Sequence, residues 1–236
     1  MNATIKKFSY SLGDKRVENS DLSQVFPDLN IKRLEKRVGI KTRYRSTVST
    51  LENAISSVEN LELTPSEISN IELIIYCTQH ESSNIPNDSF LIHKHFGFNE
   101  STETIYTNLG CSAYPTLLNY AFALKRNQTA NILIITSEKY SQSISTTDPI
   151  NNYLFSDIAT SLYLEIDGDL PKYTSGTMSS ALNHLCIPNK VTYPNKNLSP
   201  HFYMEGQAVY SFSQNAVEKL NHILNINDDM IVIIIN

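Results

Sequence analysis

The chain has 236 residues, of which 41% are hydrophobic and 18% are charged, and its formal net charge is −5. This composition is that of an ordinary globular protein and excludes global disorder. The acidic balance, with one short basic stretch at residues 32–45, argues against non-specific binding to nucleic acid.

The three cysteines, Cys77, Cys111 and Cys186, are widely separated and show no C-x-x-C spacing. The pattern therefore predicts neither a disulfide framework nor a zinc site, and it favours a reducing compartment. The first residues lack the apolar segment of a signal peptide, and the longest apolar run, residues 230–235, is too short to span a bilayer. We expect a soluble cytoplasmic protein that needs no metal.

Short β-branched runs alternate with longer helical patterns, which predicts an α/β fold. The predicted strands of the first part are residues 5–10, 71–77, 104–109, 131–136 and 158–166. The predicted helices are residues 46–60, a helix capped by Thr64 with Pro65 in its first turn, residues 90–96 with Gly97 as the C-cap, and residues 111–126. Residues 137–152 are predicted to form a polar loop.

The pattern begins again after residue 170. A strand is predicted at 173–181, a Pro/Asn-rich loop at 186–200, a long helix at 206–224 and a last strand at 230–235. We therefore divide the chain at residue 170, into 1–170 and 171–236. A buried-type strand usually has a helix packed behind it, so the second part is predicted to be incomplete.

The sharpest local signal is Cys111, which lies between a predicted strand and a predicted helix. The first turn of a helix has unsatisfied N–H groups and a positive dipole end, and both favour a thiolate over a thiol. Gly110 allows a turn that other residues resist, and Pro115 is tolerated only in a first helical turn. A buried structural cysteine remains the alternative.

Five collinear segments resemble motifs of the β-ketoacyl-ACP (acyl carrier protein) synthase III family. They are residues 38–43 (VGIKTR), 74–78 with 85–86 (IIYCT, IP), 110–114 (GCSAY), 147–159 (TDP with FSDIA) and 204–210 (MEGQAVY). The resemblance implies a thiolase-like fold of α-β-α-β-α layers, with a complete N-terminal half and a truncated second half. It also implies a homodimer or a ketosynthase-like heteromer.

The resemblance further implies an acyltransferase in which Cys111 takes an acyl group from a thioester and passes it to malonyl-ACP or a similar acceptor. The acyl donor would be acyl-CoA or acyl carrier protein, used as a substrate, and no cofactor is implied. The same resemblance assigns CoA or substrate contacts to Arg37, Phe155, Met204, Gly206 and Tyr210. For these five residues, solvation or ordinary packing remains an alternative.

The resemblance also implies that Ile85 closes the acyl pocket of a partner subunit. The family's catalytic His and Asn have no counterparts: Ile234 stands where the His is expected, and the position of the Asn lies beyond residue 236. Pro149, Ser156 and Ile158 depart from the family's motifs, which leaves the acyl donor open. Two further hypotheses follow: a truncated, non-catalytic ketosynthase-like partner subunit or remnant, and an unrelated cysteine hydrolase.

Overall fold

The computed structural model describes residues 2–125, 128–168, 173, 175–177, 179–188 and 200–224. In chain order its strands are β1 (Asn2–Leu12), β2 (Lys15–Glu18), β3 (Thr42–Arg45), β4 (Ile71–Cys77), β5 (Glu103–Thr107), β6 (Ala130–Glu138), β7 (Ile158–Asp167), β8 (Leu185–Cys186) and β9 (Tyr203–Met204). Its α-helices are α1 (Asn19–Val25), α2 (Ile31–Val38), α3 (Thr50–Glu59), α4 (Pro65–Asn70), α5 (Asp88–Phe96), α6 (Ala113–Lys125), α7 (Pro149–Leu154) and α8 (Gly206–Leu224). Turns of 3₁₀-helix are formed by Gly110–Ser112, Tyr140–Gln142 and Ser179–His184.

Contacts divide the chain into two units. The first unit comprises Met1–Val17, Thr42–Lys139 and Ser156–Pro171, and the second comprises Glu18–Lys41, Tyr140–Phe155 and Lys172–Asn236. The division at residue 170 that the sequence suggests stays a prediction.

A five-stranded mixed sheet forms the centre of the first unit, with the strand order β1-β7-β6-β4-β5. The three strands β4, β5 and β6 run parallel, while β7 is antiparallel to both of its neighbours. The β4 side chains Leu73, Ile74 and Ile75 are fully buried, as expected for a parallel strand that is covered on both faces. The carboxyl ends of β4, β5 and β6 therefore meet at one edge of the sheet.

Helices cover both faces of this sheet. Ala113, Leu117 and Ala121, spaced four residues apart on α6, pack against one face, because residues four apart share one side of a helix. On the other face, α3 packs through Ala54 and Val58. This arrangement of helices on a mixed sheet confirms the predicted α/β class.

Several predicted elements are confirmed closely. The strand predicted at 71–77 is β4, the one predicted at 158–166 is β7 with one more residue, and the helix predicted at 206–224 is α8. Gly97, with a φ of 65°, ends α5 as the predicted left-handed C-cap. The Thr64 side chain caps α4, as predicted.

Other predictions are wrong in their bounds. Helix α3 begins at residue 50 and not at 46, because Ser49 caps it in a reciprocal pair with Glu52. The strand β5 ends at Thr107, and the chain then turns through 3₁₀ geometry before α6 begins at Ala113, two residues later than predicted.

Several segments have a structure that the sequence pattern did not indicate. Helix α7 begins inside the predicted loop 137–152 and ends two residues beyond it; Asp148 caps this helix and Pro149 stands in its first turn. The described residues of the predicted strand 173–181 form no strand, and residues 179–184 form a 3₁₀ turn instead. The helices α1 and α2 and the short strands β2, β3, β8 and β9 were not predicted. The strand predicted at 230–235 lies outside the described residues, as does most of the predicted loop 186–200.

In the second unit, hydrogen bonds join the short helices. Asn19 of α1 donates its side-chain amide to Glu35 of α2 at 2.8 Å and to the carbonyl oxygen of Ile40 at 3.1 Å. The Tyr153 hydroxyl of α7 donates to the same carbonyl at 2.8 Å. These bonds tie three short helices together.

Candidate active site

The turn that carries Cys111 lies at the edge where the parallel strands of the first unit end. In α/β proteins with parallel strands, this carboxyl edge is the usual place for a ligand. Cys77 and Thr107 are paired residues at the ends of β4 and β5, and the Thr78 N–H extends that pairing to the Thr107 carbonyl at 3.0 Å. The predicted placement of Cys111 between a strand and a helix is therefore what the structure shows.

The 3₁₀ turn Gly110–Ser112 presents Cys111 to solvent, and its side chain is exposed. The Ser112 hydroxyl donates to the Leu109 carbonyl at 2.9 Å, and this hydrogen bond spans the turn. Helix α6 follows at once, so the sulfur stands just before a helix start whose first N–H groups have no intrahelical acceptors. This exposure does not fit the alternative of a buried structural cysteine.

Gly110 is the residue that makes the turn possible. Its φ is +53°, in the left-handed region that favours glycine. A Cβ at this position would stand only 2.9 Å from Nε2 of Gln79, so the Gln79 carboxamide occupies the space that a side chain on residue 110 would take. The sequence predicted the need for glycine here but gave no sign of the Gln79 contact.

Cys77 lies beneath this turn and is a second thiol of the first unit, with different chemistry. It is 2% exposed and belongs to the core that α6 covers. Burial raises the pKa of the Cys77 thiol, and hydrogen bonds from Thr107 and from the N–H groups of Leu109 and Gly110 oppose part of that effect. A buried thiol with a raised pKa is a poor nucleophile, so Cys111 is the candidate at this edge.

His80 and Glu138 form a pair next to the turn. The His80 ring Nδ1 lies 2.7 Å from Oε2 of Glu138, and their side chains are 3% and 20% exposed. The other carboxylate oxygen of Glu138 accepts from the Gln79 N–H at 3.0 Å. The sequence indicated no partner for any histidine, because β4 and β6 become neighbours only through the sheet.

The loop between β4 and α5 is held by a buried carboxylate. Asp88 is fully buried and accepts from the N–H groups of Ser82 at 2.8 Å and Ser83 at 3.0 Å. Burial raises the pKa of Asp88 despite these bonds. At the tip of this loop Ile85 is 93% exposed, and its contact with a partner subunit stays a prediction.

The remaining predicted site residues lie in the second unit. Arg37 is exposed in the last turn of α2. Phe155 stacks on Tyr140, with ring centroids 4.9 Å apart, and meets Phe202 edge-on at 5.2 Å. Phe202 is buried, so packing accounts for much of the Phe155 environment.

Met204, Gly206 and Tyr210 lie where β9 passes into α8. Met204 is partly buried, whereas Gly206 is exposed and Tyr210 is 60% exposed. No atom lies within 4 Å of the place where a Cβ on Gly206 would be, so local packing does not demand glycine there. The structure brings Cys111 and Ile85 into the first unit and the other five predicted residues into the second.

Within the described ranges, no group of three or more His, Cys, Asp or Glu side chains is arranged to hold a metal ion. Nor does any helix in that part of the chain have the length and apolar character needed to cross a membrane. No disulfide joins any of the three cysteines, all of which are described.

Solved structures of 3-oxoacyl-(acyl-carrier-protein) synthases and of a priming β-ketosynthase share this fold. A 3-oxoacyl-(acyl-carrier-protein) synthase III matches with a TM-score of 0.79 and 19% identity, over 96% of this chain and 75% of that one. The 3-oxoacyl-(acyl-carrier protein) synthase from Burkholderia xenovorans LB400 matches with a TM-score of 0.77 and 21% identity, over 97% and 71% of the two chains. The priming β-ketosynthase of the R1128 polyketide pathway matches with a TM-score of 0.74 and 18% identity, over 91% and 66%.

No known protein-family model matches the chain. The structural matches show that it has the thiolase-like fold of the synthase III structures, which confirms the fold that the sequence motifs implied. At identities near 20% this likeness establishes the fold and leaves activity to be argued from the site.

Proposed function

We propose that this chain is a condensing acyltransferase of the β-ketoacyl-ACP synthase III type, in which Cys111 accepts the acyl group. The observation that carries the proposal is the exposed cysteine in a glycine-supported turn between a parallel strand and a helix. It occurs on the fold of structures named 3-oxoacyl-(acyl-carrier-protein) synthase III. Acyl-CoA or acyl carrier protein is the donor, and the reaction needs no cofactor.

In the first step the Cys111 thiolate attacks the carbonyl carbon of an acyl thioester. A new carbon–sulfur bond forms to Cys111, the bond to the donor sulfur breaks, and the donor leaves as a thiol after taking up a proton. A thiolate is suited to this step because it is a strong nucleophile and also a good leaving group. In the second step decarboxylation of malonyl-ACP releases CO₂ and leaves a carbanion. The carbanion forms a carbon–carbon bond to the acyl carbonyl carbon, the bond to Cys111 breaks, and the sulfur leaves as a thiolate.

The resemblance to the synthase III motifs assigns further roles to five residues of the second unit and to Ile85 of the first. Arg37 would contact the phosphates or adenine of CoA, since a guanidinium binds both well. Phe155, Met204, Gly206 and Tyr210 would contact the pantetheine arm, and Ile85 would reach the acyl pocket of a partner subunit. We expect a cytoplasmic homodimer or heteromer.

A second candidate is a non-catalytic ketosynthase-like subunit. The observation that favours it is Ile234, which stands at the position where the motifs lead us to expect the histidine of the condensation step. A chain of this kind would not complete the second step.

Intact-mass spectrometry after incubation with a panel of acyl-CoA and acyl carrier protein thioesters tests the proposal. We expect one acyl adduct, mapped to Cys111, and its loss in the Cys111→Ala variant. The matched control is Cys186→Ala, because Cys186 is also partly exposed but has no part in the proposal, and it should acylate like the wild type.

The two candidates give different results in the same experiment. Acylation of Cys111 followed by release of a β-ketoacyl product on addition of malonyl-ACP supports the complete condensing enzyme. If no donor gives an adduct although Cys111 still reacts with iodoacetamide, the acyltransferase proposal is wrong. The result would then support the non-catalytic subunit.

A further inference from the structure

The Gln79 side chain is exposed, and its carboxamide is nevertheless packed against the turn that carries Cys111. Gln79 lies two residues after the end of β4, and its side chain is exposed between two buried neighbours, Thr78 and His80. An exposed glutamine normally has many accessible rotamers, and ordering it costs up to about 2 kcal/mol. Here the carboxamide rests against Gly110, with Nε2, Cδ and Oε1 all 2.9–3.1 Å from the Cβ position of that residue.

Four hydrogen bonds hold the segment that carries Gln79. Its own N–H donates to Glu138 at the end of β6, and the next residue, His80, is bound to the same carboxylate. The His80 N–H donates to the Thr78 hydroxyl at 3.0 Å, and the His80 carbonyl accepts from the Thr50 hydroxyl. Strand β6 and helix α3 therefore both hold the segment that presents Gln79.

The Gln79 carboxamide therefore lies against Gly110, the residue that directly precedes the exposed Cys111. A glutamine carboxamide has two N–H donors. The Cys111 thiolate carries negative charge before it attacks a thioester, and the attack moves that charge to the carbonyl oxygen. A donor held in advance stabilises such charge without reorganisation. The negative charge is assigned to Cys111 and not to Cys77, because the Cys77 thiol is buried beneath the turn.

We propose that the Gln79 carboxamide is a functional donor of this site, which stabilises negative charge at Cys111 and on the oxygen of the acyl group that Cys111 receives. The proposal rests on the proposed function and adds a residue to it. Glu138 and His80 are positioning residues in this arrangement, since they act through the backbone that carries Gln79.

The test replaces the donor by an acceptor of the same shape. Gln79→Glu keeps the size and shape of the side chain, so its packing against Gly110 would be preserved, whereas the carboxylate would repel a thiolate. The matched control is Gln128→Glu, the same change at an exposed position just before β6 begins, at the opposite edge of the sheet from Glu138. Gln79→Ala removes the donor without adding charge.

Two rates are measured for each variant. The first is the pH dependence of alkylation of Cys111 by iodoacetamide, followed by peptide mapping, and the second is the rate of acylation by acetyl-CoA and acetyl carrier protein. In Gln79→Glu we expect the midpoint of the alkylation profile to rise by about one pH unit. We expect acylation to fall by about 10²-fold in Gln79→Ala, as for loss of an oxyanion donor, and by at least as much in Gln79→Glu, which also adds a negative charge.

The outcomes separate this proposal from the proposed function. If wild-type Cys111 takes no acyl group from any donor, the acyltransferase proposal fails, while the alkylation profile still reports on Gln79. An alkylation profile of Gln79→Glu that coincides with that of Gln128→Glu would overturn the role of Gln79. Unchanged acylation in Gln79→Glu and Gln79→Ala would do the same.

Discussion

At the scale of single residues, two independent constraints act on Gly110. Its φ of +53° is costly for a residue with a Cβ, by roughly 1–2 kcal/mol. In addition, a Cβ would stand 2.9 Å from Gln79, which is closer than carbon and nitrogen atoms normally approach. The first constraint bears on stability, and the second bears on the position of the carboxamide beside Cys111.

Gly110→Ala should therefore lower both the melting temperature and the reactivity of Cys111. The matched control is Gly97→Ala, because Gly97 has a φ of +65° but no atom within 4 Å of its Cβ position. We expect similar losses of stability in denaturant titrations of the two variants, and a slower alkylation of Cys111 only in Gly110→Ala. Equal alkylation rates in both variants would show that the Gln79 contact has no effect on the cysteine.

At the scale of elements, α4 is fastened to the sheet by one carboxylate. Glu67 accepts from the Thr64 N–H at 2.8 Å, which completes the capping box of the helix, and from Nζ of Lys7 on β1 at 2.7 Å. These interactions, the Lys7 hydrogen bond foremost, lower the pKa of Glu67 below its usual range. The helix cap and its attachment to the edge strand thus depend on the same ionised group.

This lowered pKa predicts the direction of an acid effect. The unfolded chain binds the Glu67 proton at a higher pH than the folded chain does, so the stabilisation is present above about pH 4.3 and is lost as the pH falls through the folded pKa. Glu67→Gln should be less stable at pH 7 and should lose less stability between pH 5 and pH 3. Melting temperatures across this range measure it, with Glu100→Gln, at an exposed loop position, as the control. Parallel acid slopes for wild type and Glu67→Gln would contradict the prediction.

The buried strands could be predicted because their signal is local. Leu73, Ile74 and Ile75 are an unbroken β-branched and aliphatic run, and such a run has few other solutions than a strand covered on both faces. The short helices could not be predicted in the same way. Helix α2 buries Ile31 alone among its eight residues and carries mostly charged side chains, so its pattern resembled a solvated basic stretch.

The residues of the candidate site also divide into those with a local sequence signal and those that only the fold brings together. Cys111 was predicted because glycine before it and Pro115 after it are neighbours in sequence, and together they mark a turn into a helix. Gln79 and Glu138 were missed because they approach the turn only after β4 has paired with both β5 and β6. Helix α7 could have been predicted from the sequence, since Asp148 followed by Pro149 is itself a helix-start signal.

At the scale of the whole molecule, the first unit has an exposed apolar strip on β1. In an antiparallel pair, residues opposite each other point to the same side. Phe8 lies opposite Leu162, and Tyr10 lies opposite Thr160, whose hydroxyl meets the Tyr114 hydroxyl of α6 at 2.7 Å. Phe8 and Tyr10 are therefore on the same side of the sheet as α6, and they are 59% and 53% exposed.

Further apolar side chains extend this exposed side. Ile5 and Leu12 on β1 and Tyr120 and Leu124 on α6 are each more than a third exposed. Strand β1 also lies at the edge of the sheet, and a long edge strand with apolar side chains invites association with another chain. The predicted oligomer is consistent with such a surface, and a second copy of this chain is the occupant that can be tested directly.

We expect the wild-type protein to show a weight-average mass above that of the monomer, rising with concentration, in light scattering or sedimentation. The double variant Phe8→Lys and Tyr10→Lys should return it toward the monomer mass, because two charges on the strip would have to be desolvated on association. The matched control is Val25→Lys and Val38→Lys, which changes two exposed apolar residues of the second unit. A wild-type protein that stays monomeric at high micromolar concentration would contradict the prediction, as would equal effects of the two double variants.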